Sequence, residues 1–140
     1  MANEATKVEL FGDHNSGDPV RYTCASGVAI AKGTLLKLST PRTASISTID
    51  GDVFAGIAAM AKASDDLSTS ISAWTNGIFN IVASEAIVAG QKVYTAATSD
   101  NKVIPTNPTL TTKAASEAIL VGTALTSGAA GERINVRIKL

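Results

Sequence analysis

The side chains able to do chemistry are few and scattered. The chain has one histidine, His14, and one cysteine, Cys24. A zinc site needs three or four nitrogen or sulfur ligands, which one residue of each kind cannot supply. A Ser-His-Asp reading around Asp13, His14 and Ser16 lacks a Gly-x-Ser-x-Gly elbow and a second candidate base. Asp13, Asn15 and Asp18 resemble the start of a calcium loop. Asp18, however, stands where that loop requires glycine, and Cys24 stands where it requires a bidentate glutamate. An Asx-rich turn is the better reading. The pairs Asp50/Asp52 and Asp65/Asp66 could in principle work as acid and base. Both flank turn residues in polar stretches, with no sign of the burial that drives two carboxyl pKa values apart, so solvated turns are expected. Gly33, Gly90 and Gly122 stand alone, outside any phosphate-cradling pattern, and Pro108 blocks the glycosylation triplet of Asn107. Cys24 forms no intrachain disulfide and reads as a small buried or half-buried hydrophobe. The expectation is a protein that is not an enzyme, with no catalytic residue, metal or cofactor.

The composition narrows the partners. Hydrophobic residues are 45% and charged residues 17%, which excludes a disordered tail, and a chain of 140 residues fits one domain. Aromatics are only 4%, which suits thin β-layers better than an aromatic-lined ligand pocket. Lys plus Arg balance Asp plus Glu at 12 each, so the basic excess of a nucleic-acid binder is missing. No stretch approaches the ~20 apolar residues of a membrane-spanning helix. Met1-Ala-Asn-Glu4 has neither a basic region nor an apolar run, which predicts no secretory signal and synthesis in a cytoplasm.

The elements that must carry these residues read as strands. Ile134, Val136, Ile138 and Leu140 alternate with Arg133, Asn135, Arg137 and Lys139, placing one face on a core and the other on solvent or a partner. Asn76-Gly77, between apolar runs at 71–74 and 78–82, predicts a hairpin with a type I′ turn. Asp50-Gly51 and Ser99-Asp100-Asn101 are the next turn signals. Pro41, Pro105 and Pro108 belong in loops or at strand edges. A single short helix is expected over residues 113–118, capped by Thr111 or Thr112.

The chain also echoes itself. Residues 30–38 are matched by 88–95, each a glycine-led strand. Val53-Phe-Ala-Gly56-Ile-Ala is matched by Ile119-Leu-Val-Gly122-Thr-Ala, and an alternating strand closes each half at 67–74 and 133–140. Gly56 and Gly122 sit inside strand patterns, where glycine marks a bulge or sharp bend. The expected architecture is all-β: a small closed or nearly closed β-barrel or sandwich from two similar β-units, with an extended N-terminal arm. Residues 1–27 form that arm or a pair of edge strands, and residues 28–140 form the barrel-like body.

From Gly33 onward the order of signals resembles the capsid decoration, or cement, proteins of tailed viruses. The motifs are the glycine-led strand at 33–38, Gly56-Ile57-Ala58, Asn76-Gly77-Ile78-Phe79, Ala89-Gly90-Gln91-Lys92-Val93-Tyr94, Val121-Gly122-Thr123-Ala124 and the terminal strand 134–140. The resemblance implies a structural virion protein on the outer capsid surface. Its partners would be the major capsid protein and, as a homotrimer, itself; nucleic acid and membrane are not expected. Val8, Leu10 and Phe11, clustered on the arm, are candidates for contact with the capsid or a neighbouring subunit, as are Tyr22 and Trp74. For residues 8–11 the alternative is a first edge strand of the barrel, and for Trp74 it is core packing. Other self-assembling virion or surface proteins (a tail tube, a fibre base, an S-layer-like subunit) are the competing class. A small-ligand or carbohydrate-binding barrel comes third, since only Trp74, Tyr22, Tyr94, Phe11, Phe54 and Phe79 could line its cleft.

Overall fold

Alternating apolar residues separated by turns form strands here throughout. The computed structural model describes residues 3–9, 19–48, 50–96, 101–105 and 119–139. Among them run eleven strands and no α-helix: β1 (Thr6–Glu9), β2 (Val20–Thr23), β3 (Leu35–Thr40), β4 (Thr43–Ile46), β5 (Phe54–Ala58), β6 (Ser70–Trp74), β7 (Asn76–Ala83), β8 (Lys92–Thr95), β9 (Lys102–Pro105), β10 (Leu120–Ala124) and β11 (Arg133–Lys139). The all-β expectation with two similar units holds, and each unit closes on itself. The first is a five-stranded barrel in the order β2-β4-β3-β5-β6. The second runs β7-β11-β10-β8-β9, with β9 returning to β7.

The two barrels are one design used twice. In each, the first strand pairs antiparallel with the fifth and parallel with the third. The second strand pairs with the third and fourth, and the fourth with the fifth. Following the registers residue by residue, Leu36 corresponds to Val93, Ala44 to Val103, Ala58 to Ala124, Ile71 to Ile134 and Ala73 to Val136. The bulge in the fourth strand repeats as well. Ala55 is the extra residue between Phe54 and Gly56, as Val121 is between Leu120 and Gly122. The glycine beside each bulge is required by a close approach. At Gly56, which has φ +141°, a Cβ would lie 2.7 Å from the Trp74 carbonyl oxygen. At Gly122 it would collide with the Arg137 carbonyl oxygen.

Packing differs where the frames agree. Cys24, Ile30, Leu36, Ala44, Ala55, Ala58, Ile71 and Ala73 fill the first barrel, with the Tyr22 ring against them. In the second barrel, valines replace alanines at 103, 121 and 136, and Ile81 takes the place of Tyr22. The larger walls compensate for the smaller plug, as a core at constant packing density requires. Leu35, Phe54, Ile57 and Trp74 point away from the first interior and join the core cluster of the second barrel. One continuous cluster therefore holds the two barrels together.

The Asn76-Gly77 hairpin does not form. Both residues lie inside β7, paired with Lys139 and Ile138, and only Gly77 has positive φ, whereas a type I′ turn needs it at both positions. β6 belongs to the first barrel and β7 to the second, so the run on either side of Thr75 is the crossover between them. Seven consecutive pairs with β11 outweigh a local turn preference. Asp50-Gly51 is a turn as expected, with Gly51 at φ +67°. The expected helix at 113–118, the turn residues Ser99 and Asp100, Pro108, and the loop holding His14 lie outside the described residues.

Candidate interaction surfaces

Several titratable side chains among the described residues serve as structural supports. Buried Asp52 accepts at Oδ2 from the Ser47 hydroxyl and the Thr48 N–H, both at 2.8 Å, which ties Ser47 and Thr48 to it. Asp66 accepts from the Ser68 N–H at 2.8 Å in a tight turn. Cys24 is buried in the first core. Lys62, only 4% exposed, donates its ammonium to the carbonyls of Val28 and Asp66 at 3.1 and 3.0 Å. Backbone bridges Ile30–Lys62 and Ile87–Gly128 occupy corresponding positions in the two barrels. Among the described residues, no group of three or more His, Cys, Asp or Glu could hold a metal ion.

The candidate contact residues fall in different places. Val8 is exposed on β1, while Leu10 and Phe11 lie outside the described residues. Tyr22 is half-buried, and its hydroxyl donates to the carbonyl of the bulge residue Ala55 at 2.9 Å. Burial pushes the Tyr22 phenol above its ordinary pKa, and the Arg42 guanidinium offsets part of that shift. Trp74 is buried between the barrels, with its ring centroid 5.4 Å from that of Phe79. The ammonium groups of Lys7 and Lys32 each sit 5.6 Å from the Trp74 ring centroid, a cation–π arrangement. Trp74 thus packs the seam and lends its ring to the N-terminal segment.

That segment crosses both barrels. Asn101 holds its start, donating from Nδ2 to the carbonyls of Asn3 and Gly33 at 3.0 and 2.9 Å. The Ala5 N–H donates to the Gly33 carbonyl at 2.9 Å, and a Cβ at Gly33 would strike the Ala5 backbone. β1 then lies along the first half of β7, pairing Thr6 with Asn80 and Glu9 with Ile78. All four β1 residues are exposed. Further on, Val20–Thr23 is a stave of the first barrel, paired with β6 and β4.

Sequence reasoning passed over Asn101 as a docking residue. It adopts φ +62°, as its place in a turn signal allows, but its grip on three backbone groups of two distant segments, at Asn3 and at Gly33 and Leu35, has no local signature. Leu38 and Val53, each 40% exposed and joined by the Leu38 N–H to Val53 carbonyl bond at 2.8 Å, were also unmarked. In sequence they are ordinary strand residues. Leu67 at 75% exposure and Val88 at 60% are the largest other apolar exposures.

The family model for phage cement proteins matches residues 14–140. Among solved structures, the N base of head fibre gp8.5 from bacteriophage phi29 is similar with a TM-score of 0.55 at 14% identity. The match covers 87% of this chain and 95% of that one, and it shows a shared fold. No curated protein matches the chain.

Proposed function

We propose, from the premise that this chain belongs to the phage cement protein family and is a structural virion protein, that it binds the outer surface of an assembled head and stabilises it. The match over nearly the whole chain carries this reading. The fold is consistent with it: two closed barrels, each with its own filled interior, are joined where the first barrel's outer wall enters the second barrel's core cluster, and the polar side chains described above act as supports for loops and turns. The role is structural, not catalytic. The partner is the major capsid protein. The homotrimer belongs to the same proposal, and sedimentation equilibrium of the purified protein tests it.

A ligand that prefers the assembled, expanded shell stabilises that state by mass action. Purified protein added to expanded, DNA-free heads should co-sediment with them and raise their thermal disruption temperature. Heads that neither bind the protein nor gain stability would overturn the reading. The fold shared with a head-fibre base favours a second reading, a base on which a further head appendage stands. Electron microscopy of decorated heads separates the two, since a base carries a projecting partner and a cement protein does not.

A further inference from the structure

The repeat shows which end of the barrel is built to receive a partner. In the second barrel, one end takes the outer wall of the first. The Thr95 carbonyl accepts from the Gly51 N–H and the Thr95 hydroxyl from the Asp52 N–H, both at 3.0 Å. Asn101 Oδ1 accepts from the Leu35 N–H at 2.6 Å, and Phe79 packs on Trp74. The registers give these three receiving positions counterparts in the first barrel: Leu38 for Thr95, Arg42 for Asn101 and Val20 for Phe79. Arg42 even repeats the left-handed backbone of Asn101, at φ +52° against +62°. Yet Leu38 is 40% exposed, Arg42 is exposed and Val20 is half-buried. The opposite ends carry matching backbone bridges in the two barrels, Ile30–Lys62 and Ile87–Gly128.

We infer that this end of the first barrel, with Leu38 and Val53 at its centre and Arg21 and Arg42 on its rim, is the surface that meets the head shell. The inference rests on the proposed function and names the face that performs it. Its chemistry defines the occupant: an apolar side chain of the shell's outer surface, flanked by carboxylates. The apolar pair supplies the buried centre of a contact. The arginines supply the charge that steers and orients it, with Arg42 tied by Nε to the Arg21 carbonyl at 3.3 Å. A further copy of this chain continuing the wall-to-end stacking fits poorly. The second barrel's wall presents Lys92, Thr123 and Arg137 where the first presents Leu35, Ile57 and Trp74, and these would bring positive charge onto the arginine rim.

The test is co-sedimentation with expanded, DNA-free heads that lack this protein, using the full chain. Leu38→Asp and Val53→Asp should each weaken binding by about tenfold or more, the scale of a central contact residue, while leaving the melting temperature of the free protein near wild type. Arg42→Glu, a change at an exposed position, should weaken binding and flatten its salt dependence, and it serves if either aspartate variant fails to fold. Leu67→Asp and Val88→Asp, placed away from this end, should bind like wild type. Wild-type binding by the Leu38, Val53 and Arg42 variants would overturn the inference while leaving the proposed function standing. So would a loss confined to the Leu67 or Val88 variant. A change in the free protein's sedimenting mass without a change in head binding would mark the end as a self-contact and also overturn it. Failure of the unmodified protein to bind heads would remove the proposed function and this inference together.

Discussion

The two barrels share strand order, parity and the bulge of the fourth strand, yet their surfaces and fillings differ. The first has an alanine-rich interior and an apolar wall, and the second has a valine-rich interior and a wall bearing Lys92, Thr123 and Arg137. The difference separates what closure of the frame requires from what each copy does with its outside. Interior positions change only by trading volume, because a closed barrel tolerates neither a void nor an overfilled layer. Outer positions change in polarity, because the first wall is buried on the second barrel while Lys92 and Arg137 of the second wall are exposed.

The largest expected effect is at a shared interior position. Val136 is fully buried between Ile134 and Ile138 on one face of β11. Val136→Asp would bury a carboxylate with no partner and should cost several kcal/mol, about enough to unfold a small domain. Arg137→Ala, on the opposite and exposed face, should change stability by no more than about 0.5 kcal/mol. Thermal unfolding followed by circular dichroism checks both, and equal losses would show that the register of β11 is wrong.

A smaller effect should divide the barrels at the paired left-handed positions. Asn101→Ala strips a buried backbone N–H, that of Leu35, of its acceptor and frees the start of the N-terminal segment, so a loss of roughly 1–3 kcal/mol is expected. The single tryptophan, Trp74, should report the loosened seam by its fluorescence. Arg42→Ala places the same new residue on the same kind of backbone but removes only an exposed bond, and should cost less than about 1 kcal/mol. If the two variants melt together, Asn101 is not the clamp that distinguishes the second barrel.

The smallest effect concerns the plug of the first barrel. Because burial raises the Tyr22 pKa in the folded state, its neutral phenol contributes stability that is fully present below the unfolded pKa, near 10.0. That contribution is lost as pH rises through the higher folded value. Tyr22→Phe should remove this alkaline step from the melting-temperature profile, together with the modest worth of the hydroxyl bond to Ala55, about 0.5–1.5 kcal/mol at neutral pH. An unchanged alkaline profile would place the titration elsewhere.

Much of this frame is legible in the residues alone. Strict alternation marks β11, the glycine-led strands mark β3 and β8, and the paired Gly56 and Gly122 mark bulges, because a two-residue side-chain period and an absent Cβ are local properties. The same locality explains the failure at Asn76-Gly77. A turn preference describes four residues, while the pairing of β7 with β11 joins segments some 55 residues apart and engages them over seven pairs. The burial of Trp74 was likewise open in the sequence, which allowed both surface and core.

What the sequence by itself determined is the all-β character, the twofold repetition and the scarcity of groups with catalytic chemistry. Each follows from side-chain periodicity, glycine placement and composition, which need no partner to be read. Tertiary structure alone decided that each repeat closes on itself, that the first wall covers the end of the second barrel, and that Asn101 holds that junction while its counterpart Arg42 faces outward. Closure depends on which strand edges meet after the chain has turned, and docking depends on shape and polarity assembled from residues distant in sequence. Neither is encoded at any single position.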